Sequence, residues 1–242
     1  MKRLNRETRK LDLLSSAQLR SPAVQITVAA PNIHLSTSTD SVLVVRVAAD
    51  SGALAEVFSD EVSRNGFHHT ALAPDLLLAT DKQYGVTGLW LPPGARALAS
   101  LHTVFEGELA SSVSRIRRGV CRPPWVPHAR RVPGVVGADC VLAAGVDGSF
   151  WQLRVVDAAA LRLLAALGAA LGRRGVGRAG FVDGDLMRGA VADGASLRAR
   201  VRTIGAEDEF VAAAVAVVGA GDGDVWEEVV AWLESLLEDA VL

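Results

Sequence analysis

Short apolar runs, broken by glycine, proline, asparagine and aspartate, recur along the chain, and their lengths constrain the fold more than any other feature. The segments "AVQITVAA" (23–30), "SVLVVRVAA" (41–49), "LLLAT" (76–80) and "GVTGLWL" (85–91) suit a pleated surface and are too short for ordinary helices. Each reads as a strand. The most apolar run, "FVAAAVAVVGAG", and the segment "AAALRLLAALGAALG", which carries Arg162, both fall short of the roughly 20 apolar residues of a membrane span. The chain is therefore expected to be soluble, cytoplasmic or otherwise intracellular, with no membrane contact.

Between these runs lie patterns of period three to four. In "DSGALAEVFSDEVSRNG" a cap at Asp50 or Ser51, apolar Leu54, Val57, Phe58 and Val62, and a stop at Asn65-Gly66 predict a helix. Leu98, Leu101, Phe105, Leu109, Val113 and Ile116 step by three or four and predict a long helix over about 95–118. Asp147-Gly148 between "CVLAAG" and "SFWQLRVV" predicts a hairpin, and Asp157 caps a predicted helix ending near Arg174. Strands are expected at "SLRARVRTI" (196–204) and "FVAAAVAVV" (210–218), then a final amphipathic helix in "DVWEEVVAWLESLLEDAVL". The expected fold is α+β, mostly antiparallel sheet with about four packed helices, in two halves of similar ββαββα-like pattern. The expected organisation is a basic N-terminal arm (1–20), a first half (21–118), an Arg/Pro-rich connector (119–137) and a second half (138–242).

Half of the 242 residues are hydrophobic and 21% are charged, which excludes a disordered chain. A formal net charge of −2 supplies no global field for a nucleic-acid or membrane-surface protein. Arginine exceeds lysine, present only as Lys2, Lys10 and Lys82, and coding bias accounts for much of that excess. Cys121 and Cys140 could form one disulfide at most, and reduced thiols are the expectation.

The stretch "SRIRRGVCRPPWVPHARR" (114–131) holds six arginines and no acid. Arg115, Arg117 and Arg118 would complement the C-terminal end of the long predicted helix, with Gly119 as its stop. Beyond them Pro123, Pro124, Pro127 and Pro133 impose an extended path that presents Arg122, Trp125, His128, Arg130 and Arg131. Tryptophan and arginine are the residues most enriched at interface hot spots. Arginines around an aromatic ring also suit phosphates and stacked bases. These five residues form the candidate partner- or polyanion-binding segment.

Catalytic patterns are weak by comparison. Cys121 lies beside Arg118 and Arg122, whose charge would favour a thiolate, with His102 or His128 as its base. Cys121, Cys140, His102, His128 and the pair His68-His69, read as a polar turn, lack the paired spacing of zinc ligands. The acids of "VDGDL" (182–186) and "GDGDV" (221–225) are read first as turn residues. No phosphate loop, nucleophile elbow or dinucleotide fingerprint occurs in the sequence. The leading expectation is a non-enzymatic binding or assembly subunit that contacts a protein partner or a further copy of itself. The alternatives are a nucleic-acid-associated protein using the connector and basic arm, or an enzyme using Cys121 or the Asp-Gly-Asp pairs. No catalytic residue, metal or cofactor is assigned.

Overall fold

The computed structural model describes residues 2–5, 7–93, 98–119, 132–136, 140–173, 187–188, 191–192, 214–215, 217–219 and 224–237. Among the described residues, sixteen strands stand against two α-helices. The chain divides into two compact units. One comprises Met1–Phe105, Ser112–Ile116 and Gly145–Asp147; the other comprises Glu106–Ser111, Arg117–Ala144 and Gly148–Leu242.

The first unit begins with a ribbon of β1 (Lys2–Leu4) and β2 (Leu11–Leu13). A meander follows of β3 (Ala23–Ala29), β4 (Asn32–Thr37), β5 (Val42–Val47) and β6 (Leu54–Ser59). With the short β10 (Ala99–Ser100) parallel to β6 they form a sheet in the order β10-β6-β5-β4-β3. A second sheet, in the order β11-β9-β8-β7, contains β7 (Gly66–Ala73), β8 (Leu76–Asp81), β9 (Gly85–Trp90) and β11 (His102–Glu108). Val42, Val44, Val57 and Phe58 of the first sheet share one buried core with Leu77, Ala79 and Leu89 of the second. The arrangement is a sandwich, in which each sheet hides one face against the other.

Local chemistry explains several of these elements. Asp81 Oδ1 accepts the amides of Gln83 (2.7 Å) and Gly85 (2.8 Å), which closes the turn between β8 and β9. At Gly66 the backbone of β7 passes so close to β4 that a Cβ would lie 2.6 Å from the Thr37 carbonyl oxygen. That neighbour is main chain and cannot rotate away. Gly66→Ala is therefore expected to destabilise the protein by about 1–3 kcal/mol, read as a lowered urea midpoint with an unchanged slope.

The remaining elements are built differently. A three-stranded sheet runs in the order β12-β13-β14, from β12 (Val113–Gly119), β13 (Cys140–Gly145) and β14 (Phe150–Leu153). Asp157 Oδ1 accepts the amides of Ala159 and Ala160, both at 2.9 Å, and so caps α1 (Ala158–Arg173). Asp224 Oδ1 accepts the Trp226 amide at 2.9 Å, at the start of α2 (Val225–Leu237). Ala160, Leu163, Leu164 and Leu167 of α1 meet Val229, Trp232, Leu233 and Leu236 of α2 in a second core. Two further two-residue strands, β15 (Met187–Arg188) and β16 (Val191–Ala192), pair antiparallel.

The expectation of about four packed helices and two similar halves is overturned. No helix occurs among the described residues of the first unit. The segment expected as its first helix is β6: register shifts opposite Val57, between Val44 and Val45, so Val57 and Phe58 are both buried. That bulge breaks the alternation of a strand and produces the apolar spacing of a helix. Where it is described, the long helix expected over about 95–118 is β10, β11 and β12. Phe105 lies in β11 and Val113 in β12, whereas Leu101 and Leu109 lie between strands, so the four-residue spacing runs across separate elements and is not the stripe of one helix. Arg115 and Arg117 are accordingly exposed strand residues, and Arg118 lies in the same strand, so none of them caps a helix. The strand expected over 210–218 fails too where it is described. Ala214, Val215, Val217 and Val218 are helical, and the Gly219 amide donates to the Val215 carbonyl at 3.0 Å. The segment 196–204 lies outside the described residues.

Candidate functional site

The strand β3 is built inside out. In a half-buried strand the apolar side chains ordinarily face the core and the polar ones face water. Here the register carries the inner face across the sheet from Thr27 to His34, Val44 and Phe58, and from Gln25 to Ser36 and Val42. The inner layer is therefore apolar under β5 and β6 and polar under β4 and β3. The apolar residues of β3, namely Val24, Ile26 and Val28, point the other way and are 44%, 62% and 71% exposed.

The polar inner layer holds β3 in place. Gln25 Nε2 donates to the His69 carbonyl at 3.0 Å, and the His69 amide donates to Gln25 Oε1 at 2.6 Å. One carboxamide thus takes the place of a neighbouring strand at the edge of β7. Ser36 Oγ and His69 Nδ1 share a hydrogen bond at 2.6 Å, and the rings of His34 and His69 meet edge to face with centroids 6.1 Å apart. Burial lowers the pKa of His34. Burial first, then the neighbouring His34 and His68, pushes His69 down to about 3. Both rings are neutral at pH 7. His34 Nδ1 and His69 Nε2 have no hydrogen-bond partner among the described residues.

A hydroxyl 2.6 Å from an imidazole nitrogen resembles a nucleophile with its base. Ser36 and His69 are each only 1% exposed, however, so no substrate reaches the pair in this conformation. Its role here is to join the two sheets. A second buried polar group lies just beyond β6, where Arg64 and Asp60 form an ion pair with side chains 8% and 1% exposed. Ser41 Oγ and the Val62 amide also donate to Asp60, and Arg64 Nη2 donates to Thr103 Oγ1 at 3.2 Å. Nearby, Arg20, Asp40, Glu56 and Glu61 line an open cleft of about 340 Å³.

Arg122, Trp125, His128, Arg130 and Arg131 lie outside the described residues, as do Cys121, Asp183, Asp185 and Asp222. Asp224 is the helix cap already described. Cys140 is a buried free thiol whose Sγ donates to the Gly119 carbonyl at 3.1 Å. His102 stacks at a tilt on Trp90 with ring centroids 5.9 Å apart. His68 and His69, expected in a turn, are buried strand residues of β7, and His68 Nδ1 accepts the Ile116 amide at 3.4 Å. Among the described residues no three His, Cys, Asp or Glu side chains gather to hold a metal ion. No helix there is long and apolar enough to cross a membrane.

Sequence reasoning missed the outward stripe of β3. The alternation of Val24, Ile26 and Val28 was visible, but period two does not say which face is inside. The signal available was the partner strand, where His34 and Ser36 alternate with Ile33 and Leu35 in the same sense. No known protein family matches the chain, and no curated protein matches it either.

Proposed function

We propose that this chain is a non-enzymatic binding or assembly subunit that works through protein–protein contacts. The observation that carries the reading is β3, a seven-residue strand at the end of its sheet without a charged residue, whose apolar side chains face solvent. Edge strands of soluble proteins are normally blunted by charge, proline or a cover, because an open ladder invites another chain. Among the described residues no further strand pairs with the outer edge of β3, and that edge coincides with the exposed stripe. The bidentate hold of Gln25 on the His69 backbone supports the same reading, since a strand fixed in advance loses little freedom when a partner arrives.

The test is the native mass of the tagged full-length chain in extract of its own host. The expected result is a defined complex heavier than one chain that dissociates when Ile26 or Val28 is replaced by lysine. A chain that travels alone in the extract, or a complex indifferent to both lysines, overturns the reading. Both positions are more than half exposed, so the variants are expected to unfold within about 0.5 kcal/mol of the parent.

A further inference from the structure

We propose that β3 is an acid-released strand: its Gln25 clasp on His69 holds while the two imidazoles beneath it are neutral, and lets go when one of them takes a proton. The geometry carries this in two steps. First, β3 is lightly held. None of its side chains belongs to the apolar core that the two sheets share, and its inward residues are Gln25 and Thr27. Among the described residues, the side-chain hydrogen bonds that join β3 to the second sheet are the two made by Gln25, both to the main chain of His69. A strand that buries little apolar surface opens at a free energy well below that of the whole domain.

Second, the layer beneath β3 suits two neutral rings and not a charged one. An imidazolium carries two N–H donors and needs an acceptor for each. His69 Nδ1 has Ser36 Oγ at 2.6 Å, but its Nε2 has no partner among the described residues, and neither has His34 Nδ1. The titratable neighbours of His69 are His34, ring to ring across the sheets, and His68 on its own strand, whose Nδ1 accepts the Ile116 amide from β12. Around the pair β3, β5 and β8 set Gln25, Thr27, Val44 and Ala79, so among the described residues no carboxylate offsets a proton there. A proton on either ring is stable only once water enters, and the strand that can lift to admit it is β3. With His69 titrating near its ordinary value in the lifted state and at about 3 in the closed one, opening gains about twentyfold between pH 7 and pH 5. The inference holds with or without a partner on the outer edge of the strand.

Hydrogen exchange of the purified full chain at pH 7 and pH 5, corrected for the intrinsic pH dependence of amide exchange, reads the opening segment by segment. The protected amides of 23–29 should open about twentyfold more at pH 5, and well ahead of those of 76–90 at either pH. His69→Gln, which cannot titrate, should lose most of that gain. Gln25→Ala should open 23–29 already at pH 7 and keep the ratio between the two pH values. Equal opening of 23–29 at both pH values overturns the inference, as does opening only together with 76–90. So does a gain that survives His69→Gln, or a Gln25→Ala strand as closed as the parent. If the His69 variant does not fold, the first two outcomes in the parent chain still decide.

Discussion

Asp60→Ala is expected to cost about 3–5 kcal/mol of unfolding free energy, because it removes the carboxylate that pairs with the buried Arg64 guanidinium. An exposed ion pair would cost about 0.2–1 kcal/mol, so the size of the loss itself reports where the pair sits. The variant also strips Ser41 Oγ and the Val62 amide of their acceptor, which adds to the loss. Equilibrium urea unfolding at pH 7 measures it. A loss below about 1 kcal/mol would show that Arg64 reaches water when Asp60 is removed and that the group is not a structural centre.

Acid should act through the opposite kind of residue. His34 and His69 are neutral in the folded chain because burial lowers both, and His69 is further opposed by His34 and His68. In the unfolded chain each imidazole takes up a proton below about pH 6.5. The unfolded state then binds more protons, and stability falls as pH falls. For His69 the loss begins near pH 6.5 and continues to its folded value of about 3, at about 1.4 kcal/mol per pH unit. Between pH 7 and pH 4 this one residue accounts for about 3 kcal/mol. Urea midpoints of the parent and His69→Gln at both pH values isolate the effect, since other titrating groups are common to the two. The variant should show the shallower pH dependence, and equal slopes would show that water or movement relieves the ring.

Much of the second unit was legible. Asp157 as a cap and the Asp147-Gly148 hairpin are local signals satisfied by neighbours close in sequence, and the apolar stripe of α2 shows in its own periodicity although it packs against α1. The strands β8 and β9 were legible for the same reason, with Asp81 closing the turn between them. Failure began where long-range register decides. Val57 and Phe58 are both buried only because β5 and β6 slip past each other at Val44, and no local pattern contains that slip. His69 acquires its role from Ser36 and Gln25, which lie 33 and 44 residues away. The arginine segment drew attention by composition, whereas β3 is ordinary in composition and unusual only in orientation.

The manner in which the first unit is completed bears on how the protein can be dissected. Its later contributions are Ser112–Ile116 and Gly145–Asp147. They fasten to it through Thr80 Oγ1 on the Val113 carbonyl at 3.0 Å and through the Val146 amide on the Ser112 carbonyl at 2.9 Å. A fragment terminated at Gly119 forfeits Val146 and strands the Ser112 carbonyl. One carried through Asp147 keeps both fastenings, and for expression of the sandwich it is the shortest sensible truncation.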